Sequence, residues 1–106
     1  MKILAIEHEL SNSSADQFKE YARAEALKVW ELQQSSVIRE IYFRADRDEA
    51  VLVLECESIS EAQEILGTLP FVGSSLISFE IIPLKAYPGL ARLFDSEKSQ
   101  NDNRQY

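Results

Sequence analysis

The pattern of apolar and polar positions changes period along the chain, and each change marks an element. In residues 2 to 9 both alternating sets are apolar, Ile3 with Ala5 and Leu4 with Ile6, which predicts a first strand buried on both faces. A serine and asparagine cluster at 11 to 14 then makes a loop. Ser14 with Gln17 forms a capping box that opens a helix running to about Gln34. At about 100° per residue this helix gathers Phe18, Tyr21, Ala22, Val29 and Leu32 on one stripe, with Glu25 in its middle. Val37 to Ala45 reads as a second strand, and Ala50 to Glu57 as a third. The charged turn Asp46, Arg47, Asp48, Glu49 joins them as a hairpin. Ser58 with Glu61 is a second capping box, after which Ala62, Ile65, Leu66 and Leu69 recur at helical spacing until Pro70 blocks continuation. Leu76 to Ile82, rich in β-branched and aromatic residues, is a last strand ended by Pro83.

The order strand, helix, strand, strand, helix, strand is the split βαβ plan of a ferredoxin-like α+β domain. The four strands form an antiparallel sheet, and two helices cover one of its faces. Val51 to Leu54 is apolar on both parities, so the second face also needs a cover. A second copy of the chain is the simplest one, giving a homodimer with a barrel-like interior. Beyond Pro83, the group Leu90, Leu93 and Phe94 suits one helical turn against the domain or its neighbour. Residues 1 to 94 thus make a single domain, and the polar residues 95 to 106, DSEKSQNDNRQY, read as a disordered tail. There is no internal repeat.

Length and charge narrow the partners. A chain of 106 residues holds one modest core. A net charge of −7 opposes phosphate backbones and acidic lipid, so neither nucleic acid nor a membrane is an expected partner. The third strand, AVLVLECE, also lacks the basic and aromatic residues of an RNA-stacking surface. Cys56 is the only cysteine, which excludes an intrachain disulfide and a cysteine-based zinc cluster and makes the cytoplasm the default compartment. It reads as a buried small hydrophobe. Glu7 interrupts the first apolar run before a secretory h-region or a membrane span is complete.

From Ala24 to Pro88 the sequence resembles the muconolactone isomerase family of small dimeric α+β barrel proteins. The resemblance rests on Glu25 in the first helix, Leu32 and Gln33 near its end, Arg39 and Tyr42 in the second strand, Leu69 and Pro70 closing the second helix, and Glu80 with Pro88. The family's tryptophan before the arginine is Ile38 here, its histidine beside the arginine is Glu40, and its histidine before the last proline is Tyr87. The resemblance implies isomerisation of an unsaturated lactone or related small organic acid by proton transfer, with neither metal nor organic cofactor.

Such chemistry requires a base beside the acidic carbon and a donor for the developing oxyanion. Glu25, a carboxylate within an apolar stripe, is the candidate base; the competing reading pairs it with Arg23, Lys28 or Arg39. Tyr42 is a candidate donor to an enolate oxygen, or a ring that fills the sheet surface. His8, the sole histidine, lies on the parity of Leu4 and Ile6 and is a candidate acid or base, or a structural residue. Arg39 interrupts the alternation of Val37, Ile41 and Phe43 and is the candidate anchor for a substrate carboxylate, or one half of an ion pair. Glu80 and Tyr87 complete the candidate substrate-binding set through the family match, although Glu80 also reads as a structural residue. No ligand spacing supports a metal site.

Overall fold

The computed structural model describes residues 1–94. The tail assigned above to 95–106 lies outside the described residues. Strands β1 (Lys2–Glu9), β2 (Ile38–Phe43), β3 (Ala50–Glu55) and β4 (Ile77–Pro83) form one antiparallel sheet in the order β2-β3-β1-β4. Helix α1 (Ala15–Gln34) crosses from β1 to β2, and α2 (Ile59–Gly67) crosses from β3 to β4. This is the expected ferredoxin-like plan. Both capping serines act as expected, Ser14 accepting from the Gln17 amide and Ser58 from the Glu61 amide.

The second helical segment departs from the expected single run. α2 ends at Gly67, and Pro70 opens a separate short helix, α3 (Pro70–Gly73). Proline stops a helix from its interior but suits the first position of a new one, where its missing N–H costs nothing. Both α1 and α3 end in a Schellman turn with serine, not glycine, in the left-handed position. Ser36 has φ 67° and Ser75 has φ 63°. The Val37 amide reaches back to the Leu32 carbonyl, and the Leu76 amide to that of Phe71.

β2 is shorter than the alternation predicted, and it is irregular. Ile38 opposes Leu54, Glu40 opposes Val53 and Ile41 opposes Leu52, so the register shifts around Arg39. This bulge puts Ile38, Ile41 and Phe43 on one face and sets Glu40 and Tyr42 on the other.

The sheet therefore has two unlike faces. Toward the helices, Ile3, Leu52, Leu54, Ala62, Leu66 and Leu69 form the centre of the core. Each fully buried leucine or isoleucine there stabilises the fold by roughly 1.5 to 3 kcal/mol. The opposite face carries Leu4, Ile6, Val51, Val53 and Ile82, all only partly buried, with no helix of the described residues over them. Residues 88 to 93 form a 3-10 helix, as the apolar group predicted. It does not rest on the domain, for Leu93 is 74% and Phe94 87% exposed.

Candidate functional site

α1 packs against α3 and β2 and buries only Leu32 fully, so it stands off the middle of the sheet. The gap is a cavity of about 620 Å³, within the range of small-molecule sites. Ala50, Leu52 and Phe79 of the sheet form its floor, and Phe18, Ala22 and Val29 of α1 its roof. Phe71 of α3 closes one side, its ring meeting Phe18 edge to face with centroids 5.0 Å apart. Trp30 and Phe43 line the cavity yet are more than half exposed, which places its opening between α1 and the β2 edge.

Glu25 faces this cavity. Its carboxylate is half-buried, and the Phe71 amide donates to Oε1 at 2.9 Å. Burial pushes its pKa above the ordinary carboxylate value, and the Phe71 hydrogen bond opposes that rise. The alternative ion pair is not formed. Lys28 lies 3.8 Å from Glu31, and Arg39 donates from Nε to the Ser36 carbonyl at 2.6 Å. Glu25 is thus a polar group inside an apolar helix face, held by the first turn of α3.

A second carboxylate was not singled out from the sequence. Glu7 shares the parity of Ile3 and Ala5, is only 8% exposed and lines the same cavity. The Ala50 amide donates to its Oε1 at 3.0 Å. Burial raises its pKa, the Ala50 hydrogen bond works against this, and the nearby charges of Glu49, Glu25 and Glu9 raise it further. The signal was present as a glutamate on the core-facing parity of a strand. Glu49 is buried beside this end of the sheet, where it accepts from the Glu9 amide at 2.9 Å. Arg44 and Arg47 flank its Oε1 at 3.8 and 3.6 Å.

The other candidate residues lie elsewhere. His8, Tyr42 and Glu80 are on the open sheet face, across the sheet from Glu25. His8 Nε2 lies 3.4 Å from Glu80 Oε1. Tyr42 is 56% exposed and donates its hydroxyl to Glu40 at 2.6 Å; that bond and the Glu40 charge raise its pKa. Arg39 sits exposed at the β2 bulge and does not line the cavity. Tyr87 is exposed, just before the 3-10 helix, with its ring against Gly89. Cys56 is buried, and burial raises its thiol pKa. Among the described residues no group of His, Cys, Asp or Glu has the arrangement of a metal site. No described helix is long and apolar enough to cross a membrane.

Comparison with solved structures places this geometry among known folds. Muconolactone isomerase superposes over 83% of this chain and 92% of its own, with a TM-score of 0.69 at 17% identity. The chain has the fold of muconolactone isomerase. A second similar structure is 5-chloro-2-hydroxyhydroquinone dehydrochlorinase from Burkholderia phenoliruptrix in complex with 2,5-dihydroxybenzoquinone. It covers 80% of this chain and 94% of its own, with a TM-score of 0.63 and 17% identity. No family model and no curated protein sequence matches the chain. The isomerase-like α+β barrel fold is thus a likeness of backbone, carried by few shared residues.

Proposed function

We propose that this protein is a cofactor-independent enzyme that moves a proton within a small unsaturated lactone or related carbonyl compound held between α1 and the sheet. The observation that carries the reading is Glu25, a carboxylate within a small-molecule-sized apolar cavity whose burial raises its basicity. A carboxylate with that environment suits abstraction of a proton beside a carbonyl. In this reading the one carboxylate takes the proton from one carbon and returns it at another, so Glu25 ends the cycle as it began. In this scheme the C–H bond electrons pass into the conjugated system. They then take up a proton at another carbon, so no electron acceptor is consumed. Both similar structures bear the names of unsaturated cyclic oxygen compounds, which supports this substrate class.

The protein works as a homodimer in this proposal. Leu4, Ile6, Val51, Val53 and Ile82 form an apolar strip on the open face, and a second copy of the same strip covers it. His8, Tyr42 and Glu80 then belong to the subunit contact, and the cytoplasm is the assigned compartment. The second reading, a non-catalytic dimeric domain that binds a small molecule or a protein partner, draws on the same placement: with Tyr42 across the sheet, no hydroxyl donor among the described residues meets an enolate beside Glu25.

The test is exchange of substrate hydrogen with deuterated solvent, and turnover, over a panel of unsaturated lactones. Glu25→Gln keeps the acceptor for the Phe71 amide but removes the base, so the rate falls by roughly 10² to 10⁴. Unchanged turnover in a folded variant removes Glu25 from the mechanism. Binding without exchange leaves the binding module.

A further inference from the structure

The ionisable side chains that line the cavity have one sign. Among the described residues Glu7, Glu9, Glu25 and Asp48 face it, and no lysine, arginine or histidine does. Arg39, the residue expected to anchor a carboxylate, is turned to the Ser36 carbonyl at the bulge. Arg44 and Arg47 flank Glu49 and are not part of the lining. An anionic ligand would therefore enter a low-dielectric space against several carboxylates, in a chain that already carries a net charge of −7.

The most buried member of this set turns one oxygen toward the cavity. Glu7 is more than nine-tenths buried, but only its Oε1 is hydrogen-bonded, to the Ala50 amide. Its other oxygen has no partner among the described residues, and the side chain lines the cavity. A carboxylate oxygen that opens on an apolar cavity is met there by water or by a cation. The rest of the lining suits the body of such a cation. Phe18, Phe71 and Phe79 surround the interior, and Trp30 and Phe43 stand at the opening, where aromatic faces attract an ammonium group.

We propose that the cavity takes a hydrophobic organic ammonium ion, seated with its nitrogen against Glu7, and rejects carboxylates of the same shape. This names the ligand class of the cavity invoked for proton transfer and rests on that cavity as the binding site. The substrate would then be an unsaturated carbonyl compound bearing a basic nitrogen.

Trp30, the only tryptophan of the chain, lines the cavity and reports its occupancy by fluorescence. Titration uses three probes of similar shape: phenethylammonium, phenethyl alcohol and hydrocinnamate. The ammonium is expected to bind at least about tenfold more tightly than the alcohol, and hydrocinnamate more weakly than either. Glu7→Gln keeps an acceptor for the Ala50 amide, and it should bring the ammonium down to the alcohol while leaving the alcohol unchanged. Asp48→Asn, at an exposed position of the lining, provides a second variant that does not touch the core and should weaken the ammonium alone, by a few-fold. Hydrocinnamate binding as tightly as the ammonium, equal binding of ammonium and alcohol, or silence from all three probes overturns the proposal. Ammonium binding without hydrogen exchange on any substrate leaves it standing and removes the proton-transfer reading. Turnover of a carboxylate-bearing lactone does the reverse.

Discussion

Replacing Glu7 by glutamine tests whether the second carboxylate is a buried charge held at a cost. The pKa of Glu7 is raised in the fold, first by burial and then by the neighbouring acids, so the unfolded chain gives up this proton at lower pH than the folded one. Below the ordinary carboxylate value both states are protonated, and the group does not favour either. As pH rises from there through the folded pKa, the native state holds the proton longer and stability falls; above the folded pKa the loss is complete. One proton sets the limit on that slope, about 1.4 kcal/mol per pH unit. Glutamine keeps the acceptor 3.0 Å from the Ala50 nitrogen but never ionises. The stability of Glu7→Gln relative to wild type should therefore rise between pH 4 and pH 7. Glu7→Leu provides the contrast, because it strips the buried Ala50 amide of its acceptor and should cost about 1 to 3 kcal/mol at pH 4, where the charge is absent. Urea denaturation of the three proteins across that pH range supplies the numbers. A difference between Glu7→Gln and wild type that is flat or shrinks with pH would refute the reasoning.

Two further outcomes follow from other contacts. Glu25→Ala leaves the Phe71 amide without its acceptor, and should lower stability by about 1 to 3 kcal/mol relative to Glu25→Gln, which keeps the acceptor and stays at or above wild type at neutral pH; equal stability of the two variants would show that this hydrogen bond does not anchor α3. Leu4→Arg places a charge opposite Val53 at the middle of the open apolar strip, so sedimentation equilibrium should show a dimer for wild type at micromolar concentration and a monomer for the variant. A monomeric wild type ends the homodimer proposal.

The local elements were legible because their signals are local. Ser14 and Ser58 lie next to the helices they cap, and the double-sided apolar runs at Ile3 to Ile6 and Val51 to Leu54 are a property of the strand itself. With the element order, these determined the ferredoxin-like plan and the need to cover two sheet faces. The placement of Glu25 on the sheet-facing stripe of α1 was also legible, since helical spacing is regular.

What the tertiary structure decided depends on irregularities and on gaps. Strict alternation puts Arg39 on the side of Ile41 and Phe43, but the bulge takes one residue out of register and leaves Arg39 at the surface. The serine Schellman turns gave no glycine to mark the ends of α1 and α3, because the left-handed residue is set by the chain's path after the helix. The partner of Glu25 is an amide 46 residues away, and the partner of Glu7 is one 43 residues away. The cavity itself exists because α1 is held on α3 and β2 and not on the centre of the sheet. Spacing along one helix cannot encode that separation, since it is set by how two other elements meet the helix. For the same reason the sequence offered six candidate site residues as one set, and only the fold divided them, with Glu25 beneath α1 and His8, Tyr42 and Glu80 on the opposite face.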